Sequence, residues 1–241
     1  MSNTLTTRLK AIPFALRTLV QFTASRFRGD RSVHHAALEY VRANAETGEP
    51  AAVLAAQDEF ARKRMFLMNV GDEKGPLLAG WVSELPAGAR ILELGSFVGY
   101  SAILMSQALP EGGHITSIDP NANATKVSQA MAEHAGVGDR VTFINGKSNE
   151  VIPTLAGSFD LVFLDHWKDL YLADTEALLE HGLLTDRAII VADNVGPLFG
   201  DNPYVPWIQA RDDFHSEYIE SHIEYNDIED GVLLSRRKTT T

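Results

Sequence analysis

From Ser32 to Leu85 apolar residues recur at spacings of three and four, which places them on one face of a helix. Gly48, Glu49 and Pro50 break one helix from the next. Beyond Leu85 the pattern shortens. Apolar runs at Ala89 to Leu94, His114 to Asp119, Arg140 to Asn145, Asp160 to Asp165 and Ala188 to Asp193 predict strands, with helical stretches between them. Strands alternating with helices imply an α/β fold, a parallel sheet covered on both faces. Glu217 to Tyr225 and Gly231 to Arg236 form a further pair of runs, and Glu229, Asp230 and Gly231 predict a tight turn between them, hence a C-terminal hairpin.

Ligands of an open parallel sheet sit at the carboxyl ends of its strands. Those ends supply Glu93 with Gly95, then Asp119, Asn145 with Gly146, Asp165, and Asp193 with Asn194. A purely structural sheet needs no such row of polar residues along one rim. The first strand runs into Ile91-Leu-Glu-Leu-Gly-Ser-Phe-Val-Gly-Tyr-Ser101, so glycines fall at 95 and 99, where backbone can approach a ligand closely. A dinucleotide fingerprint beginning at Gly95 needs glycine at 97 and 100, and Phe97 and Tyr100 stand there. No G-K-[ST] tripeptide supplies a phosphate-cradling loop either. The pattern that remains is a nucleoside ligand without phosphates, with Asp119 placed to accept from both ribose hydroxyls. Two glycines and an acid, taken alone, equally suit an ordinary turn.

Composition narrows the classes. At 241 residues, with 45% hydrophobic and 22% charged, the chain suits one globular domain with a sizeable core. A formal net charge of -11 argues against nucleic acid as partner and favours small or cationic ligands. The absence of cysteine excludes disulfides, thiolate catalysis and cysteine-ligated zinc, and a cytoplasmic location is the simplest expectation. Residues 1–31 stand apart as a basic arm or helix, with Arg8, Lys10, Arg17, Arg26, Arg28 and Arg31 against Asp30. The apolar run from Ala11 to Phe27 is broken by Pro13 and Arg17, so it falls short of a membrane span. A peripheral helix or a frayed arm is the expectation, and contact with an anionic membrane surface is the alternative.

Residues from about Ser32 to Leu234 resemble the catechol O-methyltransferase family. The resemblance is carried by Met68-Asn-Val-Gly-Asp72, Glu93-Leu-Gly with Gly99-Tyr-Ser101, Val162-Phe-Leu-Asp-His-Trp-Lys-Asp169, Ala192-Asp-Asn-Val195, and Ile223-Glu-Tyr followed by Asp230-Gly231. The Leu-Asp-His-Trp-Lys-Asp string is the most specific of these. The resemblance implies the Rossmann-like class I methyltransferase fold, a sheet of seven strands with six parallel and one antiparallel, and S-adenosylmethionine as cofactor. Val70, Glu93 and Ser101 then hold the methionine end of the cofactor, with Gly95, Tyr100 and Pro120 nearby. Asp119 takes the ribose and Ser148 with Asn149 the adenine, while Asp165, His166 and Trp167 border the same ligand. The remaining histidines are read as structural or solvated, because His34 and His35 are helix neighbours facing different ways. Departures from the vertebrate pattern are Phe66 for a tryptophan, Val98 for a cysteine, Asp119 for glutamate and Asn149 for glutamine.

The same resemblance implies Mg²⁺ on Asp165, Asp193 and Asn194. Two adjacent strand ends separated by roughly 5 Å bring three oxygens together, which suits a hard cation that leaves room for two catechol oxygens and a water. Asp193-Asn194 alone also suits a turn. Lys168 is expected as general base and Glu224, assigned to the C-terminal strand, as partner of the second hydroxyl. Phe66, Met68, Trp167 and Pro197 should line the catechol slot with Asp165, Lys168, Asn194 and Glu224. The expected partner is therefore a small catechol. The alternatives are a larger ortho-dihydroxy metabolite, or a cofactor-binding module without turnover.

Overall fold

The computed structural model describes residues 32–199 and 202–239. The basic segment 1–31, expected as a peripheral helix or frayed arm with membrane contact as the alternative, lies outside the described residues, as do Gly200, Asp201, Thr240 and Thr241.

Three helices come first, α1 (Val33–Asn44), α2 (Pro50–Lys63) and α3 (Gly71–Ser83). The Ser32 side chain caps α1 by accepting from the His35 amide, and Pro50 opens α2 where its missing N–H has no partner to lose. The α/β part follows as β1 (Arg90–Leu94), α4 (Tyr100–Ala108), β2 (His114–Asp119), α5 (Ala122–His134), β3 (Val141–Asn145), α6 (Ser148–Val151) and β4 (Phe159–Leu164). It closes with α7 (Tyr171–Glu180), β5 (Leu184–Ala192), α8 (Tyr204–Gln209), β6 (Phe214–His222) and β7 (Glu229–Arg237).

The strands form one sheet in the order β3-β2-β1-β4-β5-β7-β6. Strands β1 to β5 pair in parallel, and β7 runs antiparallel to both β5 and β6, so it alone opposes the other six. Successive side chains along a strand point to opposite faces. Ile91, Ile115, Leu161, Phe163, Ile189 and Val191 accordingly pack with α1 to α5, whereas Leu92, Leu94, Ile118, Val162, Leu164 and Ile190 pack with α7 and α8. Covering both faces explains why the strands read as continuous apolar runs rather than alternating ones. Each such buried side chain contributes about 1.5 to 3 kcal/mol relative to exposure.

From β1 the chain winds outward through β2 and β3, then returns to β4 on the other side of β1. That reversal opens the crevice above the carboxyl ends of β1 and β4. Two expectations change here. Asp165, Asp193 and Asn194 stand just beyond their strands, which end at Leu164 and Ala192. The hairpin turns at Ile223–Ile228, closed by Ile223 N–H to Ile228 O at 2.8 Å, and not at Glu229-Asp230-Gly231, which open β7. Glu224 therefore sits in the turn and not in the C-terminal strand. Gly231 serves close packing instead, since a Cβ there would lie 2.2 Å from the Tyr218 hydroxyl oxygen.

Candidate active site

The turn after β1 holds the first group. Gly95 has φ 106, and a Cβ on it would lie 2.4 Å from the Asp165 carbonyl oxygen, so only glycine lets this turn lie against the end of β4. Phe97 is left-handed, with φ 45. The Asp119 carboxylate secures this loop: Oδ2 accepts from the amides of Ser96 and Phe97, both at 3.1 Å, and Oδ1 accepts from Asn121 N at 2.8 Å. Oδ1 keeps a lone pair for a further donor, whereas both lone pairs of Oδ2 are taken by the two amides.

Glu93 is fully buried, and the hydroxyls of Ser101 and Ser117 donate to its two oxygens. Burial outweighs those bonds and pushes its carboxyl up to about 7. Val70, Tyr100, Ser101 and Ser148 are also buried, while Pro120 and Asn149 are exposed. One neighbour had no signal in the sequence. His34 on α1 stands edge-on to Phe97 at 5.0 Å, and its Nδ1 is buried with no hydrogen-bond partner among the described residues. Burial pushes its pKa down against the pull of Asp119.

The second group lies beyond β4 and β5. Lys168 Nζ donates to Asn194 Oδ1 at 2.8 Å and lies 3.9 Å from Asp165 Oδ1, with the rings of Tyr171 and Phe199 beneath it at 5.4 and 5.3 Å. Asn194 is held left-handed at φ 53, and its Nδ2 donates to Asp230 Oδ2 at 2.9 Å. Asp193 Oδ1 accepts from Lys74 Nζ and from Asn194 N, both at 2.6 Å, whereas Oδ2 is buried without a partner among the described residues. His166 Nε2 bonds Asp174 at 2.7 Å. Burial, reinforced by the Asp193 charge, raises the Asp165 carboxyl well above the usual range, and burial also raises Asp193 against the opposing pull of Lys74.

Lys74 is the residue that sequence reasoning missed. Burial works against its charge, yet the carboxylates of Asp193, Glu224 and Asp230 at 2.6, 2.5 and 3.0 Å hold its ammonium well above the ordinary lysine value. Those three acids lie close enough together to suggest a cation centre, and the lysine already supplies the cation. Its signal was its place on the buried stripe of α3, with Gly71, Gly75, Leu78 and Val82. The expected metal ligands are all oxygen donors: Asp193 Oδ2, without a partner among the described residues, Asn194 Oδ1, which accepts from Lys168, and Asp165, whose carboxyl feels the Asp193 charge. Such a donor set would suit a hard divalent cation.

The expected slot residues are only partly enclosed. Phe66 is 8% exposed and packs with Ile223 and Ile228, Pro197 is half-buried, but Met68 and Trp167 are 47% and 75% exposed.

Comparison with known proteins gives the family. Residues 45–220 match the family model described as O-methyltransferase. Catechol O-methyltransferase B of Danio rerio is 38% identical over 200 residues, covering 81% of this chain and 75% of that protein. Catechol O-methyltransferase of Mus musculus is 35% identical over the same coverage of each. Among solved structures, the O-methyltransferase TomG from Streptomyces achromogenes, in complex with SAM, aligns with a TM-score of 0.66 and 25% identity over 77% of this chain and 89% of that one. A sheet with one opposed strand, a glycine turn braced by Asp119, and an acid and lysine rim at the topological switch thus coincide with sequence identity over most of the chain, and the chain belongs to the O-methyltransferase family.

Proposed function

We propose that this enzyme transfers the methyl group of S-adenosylmethionine to one hydroxyl of a catechol or related ortho-diphenol, with Mg²⁺ as resident metal. The observation that carries the reading is the buried Asp193 Oδ2, without a partner among the described residues, next to Asn194, whose Oδ1 accepts from Lys168 Nζ. The catechol O-methyltransferases among its relatives support the substrate class.

In this reading Glu93, Val70 and Ser101 receive the methionine end of the cofactor beside Gly95 and Tyr100. Asp119 accepts from the ribose hydroxyls next to Pro120, Ser148 and Asn149 border the adenine, and His166 and Trp167 flank the same ligand. Asp165, Asp193 and Asn194 hold the metal, which when bound supplies charge that acidifies a hydroxyl and fixes its orientation. Lys168 takes the proton of the reacting hydroxyl. Its oxygen then bonds to the methyl carbon as the carbon–sulfur bond breaks, giving the methyl ether and S-adenosylhomocysteine. Glu224 accepts from the second hydroxyl. Phe66, Met68, Trp167 and Pro197 line the slot and keep water from the ring face.

The exposure of Trp167 and Met68 favours a second reading, in which the slot takes ortho-dihydroxy compounds larger than catechol. One assay separates the two. Purified protein with labelled S-adenosylmethionine and Mg²⁺ is offered a panel of diphenols of increasing size, with chelated and Asp193→Ala controls. Transfer that is lost with the chelator and in the variant supports the proposal, and the preferred size selects the reading. The absence of transfer to every diphenol, or full turnover under chelation, overturns it.

A further inference from the structure

Tyr225, a residue without a role in the transfer described above, joins the segments on which both halves of the site are built. It follows Glu224 in the hairpin turn and is held at φ 60, a conformation that a residue with a side chain keeps only when its surroundings compel it. The surroundings here are specific. Its hydroxyl stands 2.7 Å from Asp58 Oδ1 and 3.0 Å from Asn69 Oδ1, and can donate to either, while the Arg62 guanidinium lies over its ring at 5.0 Å. Asp58, on α2, is reached also by the hydroxyl of Tyr100, at the start of α4. Asn69 precedes Val70; it is 5% exposed, and its Nδ2 is buried without a partner among the described residues. The turn that follows backs onto the hairpin, since a Cβ on Gly71 would lie 3.0 Å from Glu224 Cγ.

The phenol of the hairpin that carries Glu224 therefore meets the Met68–Gly71 turn through Asn69 and α2 through Asp58, and the start of α4 joins them at Asp58. The geometry points to Tyr225 as a positioning residue that couples the two halves of the site, so that filling the S-adenosylmethionine half raises affinity for the diphenol in the other. This rests on the assignments of Val70 and Tyr100 to the cofactor and Glu224 to the substrate made above. The methionine end of the cofactor orders the Val70 and Tyr100 segments. Asn69 and Asp58 then stand at fixed places, the Tyr225 hydroxyl has its acceptors in register, and Glu224 is set for the second hydroxyl. Because coupling between two binding sites is reciprocal, the diphenol must tighten the cofactor by the same factor.

Calorimetry on the full chain in Mg²⁺ tests this, with catechol titrated in the absence and presence of S-adenosylhomocysteine, which fills the cofactor half without turnover. For the wild type, catechol affinity should rise at least about fivefold when the cofactor product is bound. Tyr225→Phe keeps the ring and its contact with Arg62 and loses only the hydroxyl. It should bring that factor to within about twofold of unity while S-adenosylhomocysteine alone binds within about twofold of wild type. Asp58→Leu removes the shared acceptor and should give the same loss, which keeps the test alive should the first variant not fold. A purely structural role would lower thermal stability and both affinities together and leave their ratio intact. An unchanged coupling factor in both variants, or a wild type without coupling, overturns the inference. A wild type that binds S-adenosylhomocysteine but no catechol at all instead overturns the diphenol assignment.

Discussion

Glu93 is a buried acid whose carboxyl is pushed up to about 7 by burial, against two donating serine hydroxyls. The folded protein therefore keeps a proton that the unfolded chain releases at lower pH. The stability this contributes is complete below the ordinary carboxylate range and is lost as pH rises through about 7. The contact proposed between Glu93 and the cationic amino group of S-adenosylmethionine needs the ionised form, so binding would expel that proton. Cofactor affinity should then climb by up to about tenfold per pH unit below about 7 and level off above it. Calorimetry from about pH 5.5 to about 8.5 reads the slope, which Glu93→Gln should flatten. A flat wild-type profile would detach Glu93 from the cofactor. Lys168 is testable through its geometry. It holds Asn194 Oδ1 at 2.8 Å, and arginine would keep the charge there but cannot act as a base. Lys168→Arg should lower kcat by about 10² to 10⁴ with cofactor affinity little changed. Turnover within a few-fold of wild type would reduce Lys168 to electrostatic positioning.

At the scale of elements, the strand-to-helix turns hold the site, and Gly95 shows how little tolerance they have. Alanine there would drive a Cβ to 2.4 Å from the Asp165 carbonyl oxygen, in a backbone conformation that side chains resist at about 1 to 3 kcal/mol. Gly95→Ala should lower the unfolding midpoint and abolish S-adenosylmethionine binding. Gly182→Ala, left-handed but with nothing within 4 Å, should cost only the backbone strain and leave binding intact. Equal effects in thermal unfolding and titration would refute the packing account. The strands of the parallel sheet were legible because burial on both faces writes continuous apolar runs, and His114–Asp119 falls where the pattern put it. The hairpin was misplaced because Glu229-Asp230-Gly231 carries turn-forming residues, yet Gly231 is glycine to admit the Tyr218 ring across β6 and β7. The places of the rim acids were legible because each follows directly on a buried apolar run, although Asp and Asn there also suit an ordinary turn. Lys74, Asp58 and Tyr225 were not, because their roles arise from residues more than a hundred positions away, and only the folded chain brings Lys74 to Asp193 or Tyr225 to Asp58.

Across the whole molecule, charge and position divide the labour. A formal charge of -11 suits the cationic ligands proposed above, and the acids proposed to use it are gathered at the switch point between β1 and β4 and on the neighbouring rim. Every residue assigned to the site lies between Phe66 and Glu224, and no helix among the described residues is long and apolar enough to cross a membrane. The basic residues from Arg8 to Arg31 stand outside this plan: they oppose the net charge, and the proposed transfer assigns none of them a role. Deleting residues 1–31 should therefore leave kcat and cofactor affinity within about twofold of the full chain, since no residue proposed for the site is removed. The deletion should show its effect elsewhere. Each Lys or Arg near an anionic surface contributes about 1 kcal/mol, so any affinity of the full chain for anionic vesicles at low salt should vanish with the segment. Parallel measurement of turnover and vesicle co-sedimentation on the two proteins separates these roles. A truncated protein that folds, as judged by its thermal transition, but has lost turnover would mean that the basic segment completes the active site.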